Sequence, residues 1–174
     1  MMFSVPIVQA GDPVLRSRTR RLGPDELSAL PALVEIMRDT MRAAPGVGLA
    51  APQIGIGLAV AVVEDRADYQ SKLEASELAE RGREPVPFYA LINPRLTITD
   101  PTPVEHYEGC LSVEGYMAVV PRARAVRVDA LGLDGKPLVI EATGWHARIL
   151  QHELDHLDGV LYVDRMYTRS FSRQ

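Results

Sequence analysis

The feature that most limits this chain is the run Gln151-His152-Glu153-Leu154-Asp155-His156. It carries H-E-x-x-H, and on a helix residues four apart share a face, with Cβ atoms about 5–6 Å apart. Two imidazoles at that spacing reach one small cation. Glu153 lies beside such a cation but too far round the helix to be an obvious ligand, which suits a base acting on a water that the metal activates. Apolar Ile149, Leu150, Leu154 and Leu157 flank the run, so the helix is partly buried rather than a solvated face with two chance histidines. Thr143 is placed to cap it and Gly159 to end it, which predicts a helix from about Gly144 to Leu157.

A catalytic metal needs a third protein ligand and an open position. The run continues as Leu157-Asp158-Gly159, which starts the metzincin pattern H-E-x-x-H-x-x-G-x-x-H, but Tyr162 stands at the final position. Asp164 is the only acid after Gly159, so a thermolysin-like glutamate is missing as well. The third ligand has to come from upstream. His146, six residues before His152, does not share its face and reads as a surface or structural histidine; His106 also lacks convincing geometry. Cys110, the only cysteine, lies in Glu108-Gly109-Cys110-Leu111-Ser112. A lone cysteine is more often a small buried residue. Beside a two-histidine helix, however, a soft thiolate and two imidazoles make a good site for zinc or iron(II). A nucleophilic Cys110 with His152 or His156 as base competes with this, but it leaves the pairing of two histidines around Glu153 unexplained. A purely structural metal site is a further alternative, though such sites usually have four protein ligands and only three can be named.

The remaining sequence describes what surrounds the helix. Its 174 residues fit one catalytic domain over 1–174, and 47% apolar content can close a core without disulfides. A net charge of −4 gives no basic excess for phosphate contacts, so nucleic acid is not an expected partner. The best apolar run, Ile54 to Val63, is about half the roughly 20 residues a membrane helix needs. Met1–Ala10 shows no secretion signal, and the single cysteine suits a reducing cytoplasm.

Val5–Arg20 reads as an irregular arm with a turn at Gly11-Asp12-Pro13. Pro24-Asp25-Glu26 opens a helix that buries Leu27, Leu30, Leu33, Ile36, Met37 and Met41, with Pro31 marking where it becomes regular. Leu58–Glu64 reads as a buried strand, and polar Arg66–Pro87 as a surface insertion, partly helical or mobile. Short strands are expected at Phe88–Ile92, Leu96–Thr99, Val104–Tyr107, Ala118–Val120 and Ala125–Leu131. Another, Leu138–Ala142, follows the Asp134-Gly135 turn, and a last one is expected at Val160–Val163. Antiparallel strands with two separated helices predict an α+β fold.

Three segments in order resemble one family, the peptide deformylases. Gly46-Val47-Gly48-Leu49-Ala50-Ala51-Pro52-Gln53 is similar to their first motif, G-x-G-x-A-A-x-Q. Glu108-Gly109-Cys110-Leu111-Ser112 matches E-G-C-x-S, and Gln151–His156 matches Q-H-E-x-D-H. The resemblance implies antiparallel sheets packed around a central metal-binding helix, with an N-terminal helix. It implies hydrolysis of the N-formyl group of formyl-methionine on nascent polypeptides, with release of formate and the ribosome at the chain exit as a candidate partner. It also implies iron(II) on Cys110, His152 and His156, with zinc, nickel or cobalt as substitutes.

By the same resemblance Glu153 is the base, while Gln53 and the Leu111 backbone N–H bind the formyl oxygen as it gains charge. Val47, Gly48, Gly109, Trp145, Arg148 and Ile149 would line the groove, with Gly48 and Gly109 offering backbone bonds to an extended peptide. Trp145 also fits plain core packing. Glu108 is expected to pair with Arg122 or to support a ligand. A zincin-type peptidase and a binding homologue without turnover remain as alternatives.

Overall fold

In the computed structural model, which describes residues 3–174, the helix carrying His152 and His156 has its expected bounds, although Thr143 at its N-cap makes no side-chain capping bond. This is α4, Gly144–Leu157, preceded by Thr143 in extended conformation. It ends at Asp158, and Gly159 follows with φ 76°. Glycine is required there twice over, because a Cβ would also sit 2.7 Å from the Arg16 carbonyl oxygen. Buried residues occur all round α4, from Ala147 to Leu157, as in a helix enclosed by the rest of the fold.

A six-stranded antiparallel sheet encloses it. The strands are β1 (Gly48–Ala50), β2 (Val60–Asp65), β3 (Val86–Cys110), β4 (Val113–Leu131), β5 (Pro137–Thr143) and β6 (Ser172–Arg173). Their order is β1-β2-β3-β4-β5, with β6 against β4. β2 is buried at every position: Val60–Val63 are apolar, and the charged Glu64 and Asp65 that follow are paired with Arg42 and Arg83. Alternate residues serve two cores. Ala61 and Val63 face Ile149, Leu150 and Leu154 of α4. Val60 and Val62 face Leu30, Val34, Met37 and Met41 of α1 (Leu30–Ala43). The expected N-terminal helix thus becomes regular at Leu30, and Pro24–Ala29 forms a 3-10 turn before it.

Several expectations change. The three short strands between Phe88 and Tyr107 are one 25-residue strand, β3, with register shifts between Ile92 and Arg95 and on either side of Asp100. Its prolines and register shifts interrupt the ladder without ending the strand. Ala118–Val120 and Ala125–Leu131 likewise fuse within β4. The strand expected at Val160–Val163 is not formed. Tyr162–Asp164 is a 3-10 turn, because Asp164 turns back to accept the Leu161 N–H at 2.8 Å and Tyr162 goes into the core.

The insertion holds two short helices, α2 (Ala67–Gln70) and α3 (Ala75–Arg81). Its end is tied to the core: Arg83 donates to both Asp65 carboxylate oxygens at 2.8 and 2.9 Å. Among the described residues no helix is long and apolar enough to cross a membrane.

Candidate active site

Cys110 closes β3, while His152 and His156 stand one turn apart on α4. One donor atom from each falls within 4.8 Å of the others, and the Cys110 Sγ lies 3.3 Å from His156 Nε2. The site is oriented from behind by Glu108, a buried carboxylate. It accepts from Arg122 Nε and Nη2 at 2.9 Å each, from Arg148 Nη1 at 2.8 Å and from His152 Nδ1 at 3.0 Å. Burial opposes its charge, but Arg122 and His152 hold it well below the usual carboxylate range. With Nδ1 engaged, His152 presents Nε2 towards Cys110, the arrangement in which a carboxylate fixes the tautomer of a metal-binding histidine. Burial and the neighbouring His152 keep His156 neutral, the form a metal ligand needs. One sulfur and two imidazoles, backed by a carboxylate, fit a divalent transition-metal ion. Glu108 therefore pairs with Arg122, as expected, and also holds His152.

Glu153 is 4% exposed, and burial pushes its carboxyl up to about 7. Its Oε2 has no hydrogen-bond partner among the described residues. Room for it is made by Gly48: a Cβ there would lie 2.2 Å from Glu153 Oε1. The first glycine-rich motif thus works as a gap against which the Glu153 carboxyl packs. Both residues open onto a cavity of about 710 Å³. Of the site residues named from the sequence, only His156 is absent from its lining, lying buried behind Cys110.

Facing α4 is a wall of loops. Gln53 sits in the 3-10 turn Ala51–Ile54 and is 2% exposed. Its Oε1 accepts the Ala50 N–H at 2.9 Å, which turns Nε2 towards Ser112 Oγ at 3.3 Å and Cys110 Sγ at 3.7 Å. Its Nε2 is thus a hydrogen-bond donor held beside the Cys110 sulfur on the lining of the cavity. Leu111 follows Cys110 in the turn between β3 and β4 and lines the same cavity.

The groove residues divide by what they touch. Val47, Gly109 and Ile149 line the cavity. Trp145 also does, yet it packs on the core as well, edge-on to His106 at 5.8 Å with the Arg81, Arg83 and Arg148 guanidinium groups 5.3–5.7 Å from its ring. Trp145 thus both lines the cavity and packs on the core. The Arg148 guanidinium points inward to Glu108 and to the Val120 and Val104 carbonyls, so its main contact is with the network behind the ligands.

Sequence reasoning gave no role to Ser112, which is fully buried; its N–H approaches Cys110 Sγ at 3.4 Å. Nor did it give one to Tyr162 beyond the missing histidine. Its ring lies parallel to that of His152, 6.4 Å away. His146, read as a surface or structural histidine, bonds the Tyr89 hydroxyl at 2.7 Å.

Known proteins agree with this geometry. The family model for polypeptide deformylase matches residues 4–171. Peptide deformylase 3 of Streptomyces avermitilis is 50% identical over 172 residues, covering 97% of this chain and 74% of its own length. Chloroplastic peptide deformylase 1A of Solanum lycopersicum is 46% identical over 167 residues, covering 95% of this chain, which spans 60% of the plant protein. The crystal structure of a class I type b peptide deformylase from Acinetobacter baumannii with Met-Ala-Ser bound superposes with a TM-score of 0.84 at 30% identity, covering 95% of this chain and all of that one. A sulfur-and-histidine cluster beside a buried glutamate, carried on a fold and a sequence match that extend over nearly the whole of this chain, places it in the polypeptide deformylase family.

Proposed function

We propose that Glu153 is the general base of this deformylase, that Cys110, His152 and His156 hold its metal ion, and that Gln53 and the Leu111 N–H bind the formyl oxygen. As a member of its family the chain removes the N-formyl group from nascent polypeptides and releases formate. The observation that carries the residue assignment is the buried Glu153 carboxyl, unpartnered at Oε2, on the same cavity as Cys110 and His152.

A divalent cation on these three ligands supplies Lewis acidity, which lets water act as a nucleophile at neutral pH. Glu153 takes the proton of the attacking water. A carboxyl with an ordinary pKa is a poor acceptor, and one raised to about 7 is matched to the task. As the formyl oxygen gains charge, Gln53 Nε2 and the Leu111 N–H donate to it; both are fixed before substrate arrives and need no reorganisation. Glu153 then returns its proton to the departing amine. The cavity takes the methionine side chain against Val47, Trp145 and Ile149, while the backbones of Gly48 and Gly109 pair with the extended peptide.

Iron(II) is the metal we assign, by resemblance to the family, with zinc, nickel or cobalt as replacements. A cysteine ligand that must stay reduced suits the cytoplasm, and a nascent-chain substrate makes the ribosome a partner at the exit. We read residues 1–174 as one catalytic domain.

A second reading is favoured by the 3.3 Å contact of Cys110 Sγ with His156 Nε2, as in a Cys–His nucleophile pair. Against it, the buried His156 Nδ1 has no orienting partner among the described residues. Protein loaded anaerobically with iron(II) should release formate from formyl-Met-Ala-Ser without cleaving its internal bonds, and chelation should abolish this. Absence of formate would sink the assignment, and full activity after chelation would favour the nucleophilic cysteine.

A further inference from the structure

We propose that Gln9, in the N-terminal arm, is a positioning residue for the two formyl-oxygen donors. The inference rests on the reading above, in which Gln53 Nε2 and the Leu111 N–H are those donors. They sit on separate turns, and three consecutive arm residues reach both. The Val8 N–H donates to the Gln53 carbonyl at 2.9 Å and the Ala10 N–H to the Ser112 carbonyl at 2.7 Å. Between them, the Gln9 side chain works in both directions. Its Nε2 donates to the Leu111 carbonyl at 2.9 Å, and its Oε1 accepts the Glu114 N–H at 3.2 Å.

One primary amide thus clamps both ends of the turn that follows Cys110, and it does so from the rim of the catalytic cavity. The carbonyl that Gln9 holds belongs to the Leu111–Ser112 peptide and the Leu111 N–H to the Cys110–Leu111 peptide, so the clamp acts on the N–H through the Leu111 Cα, with Cys110 on β3 at its other side. Without Gln9 the Leu111–Ser112 peptide loses this tie, whereas Gln53 keeps its own, the Ala50 N–H donating to its Oε1. A donor misplaced by about 1 Å costs up to roughly a hundredfold in rate, so the clamp acts on the chemical step.

The test compares Gln9→Ala and Gln9→Glu with the unaltered chain, with Gln53→Ala and with Lys72→Ala, an exposed residue of the insertion that should change nothing. The glutamate keeps the shape but cannot donate to the Leu111 carbonyl, so it serves if the alanine variant folds poorly. Metal content and thermal midpoint are measured alongside kcat and KM on formyl-Met-Ala-Ser. Both Gln9 variants should keep their metal and lower kcat about tenfold with KM little changed. Combined with Gln53→Ala, Gln9→Ala should cost less than the product of the single effects, since both act on one oxygen.

A lowered thermal midpoint with unchanged kcat would make Gln9 a structural tie and overturn the proposal. A rise in KM alone would overturn it too, by making Gln9 a peptide contact. If Gln53→Ala itself leaves kcat unchanged, the underlying assignment of the donors fails. If only the Gln9 variants are silent, that assignment stands and the clamp alone is lost.

Discussion

One wall of the cavity comes from a single helix, whereas the facing wall is assembled from three stretches of chain that are far apart in sequence. On the helix wall, α4 brings His152, Glu153 and His156 with a spacing that the backbone itself dictates. Behind it lies a buried charged network: Glu108 with Arg122 and Arg148, and Arg122 onward to Asp155. On the loop wall, the arm, the Gln53 turn and the turn after Cys110 meet through single hydrogen bonds. The helix wall joins catalysis to stability, because its charged groups are buried and answer one another. The loop wall is open to change in rate with little change in fold.

The two walls should therefore break differently. The largest effect is expected on the helix wall. Glu108→Ala leaves Arg148 buried without a carboxylate and removes the partner of His152 Nδ1. It should destabilise the protein by roughly 3–5 kcal/mol, as measured by denaturant unfolding. Metal affinity should fall by about 10–100-fold, read by competition with a chelator. On the loop wall, Gln53→Ala should lower kcat by about 10²–10³-fold while metal content stays full. Equal losses of stability from the two substitutions would erase the distinction.

A third effect belongs to the helix wall alone. Unfolded, Glu153 titrates near 4.5; folded, burial pushes it up to about 7. Between those values the folded chain keeps a proton that the unfolded chain has released. The metal-free protein should therefore lose stability as pH rises from about 4.5 to about 7, by roughly 3 kcal/mol, and then level off. Glu153→Gln should remove that slope in urea titrations across the range; a slope that persists would assign it to other groups. The smallest effect is expected where the walls touch. Gly48→Ala puts a Cβ 2.2 Å from Glu153 Oε1. The base has to turn aside, with a loss of kcat of about tenfold to a hundredfold and metal still bound, checked by formate release alongside metal analysis.

The same contrast explains what the sequence made legible. Helical spacing, an N-cap position and a terminal glycine are local, so α4 could be bounded at Gly144 and Leu157 and its residues given roles. Cys110 was reachable by elimination because it is the only cysteine. The Gln9 clamp was not reachable, since Gln9 and Leu111 stand 102 residues apart and a polar residue in an irregular arm carries no periodicity. β3 was cut into three for a related reason: the gaps between its expected segments hold Pro94, Pro101 and Pro103, and the sheet accommodates them as register shifts. At Tyr162 the apolar run Val160–Val163 suggested a strand, and the Asp164 side chain overrode it by capping Leu161.

The account turns on Glu153 acting as the base beside a metal held by other residues. The most direct test is Glu153→Gln, loaded with iron(II) without oxygen and assayed for bound metal and for formate released from formyl-Met-Ala-Ser. The account predicts full metal content and a folded protein with formate release reduced by at least about 10²-fold. A metal-loaded Glu153→Gln protein that releases formate at the unaltered rate would contradict it.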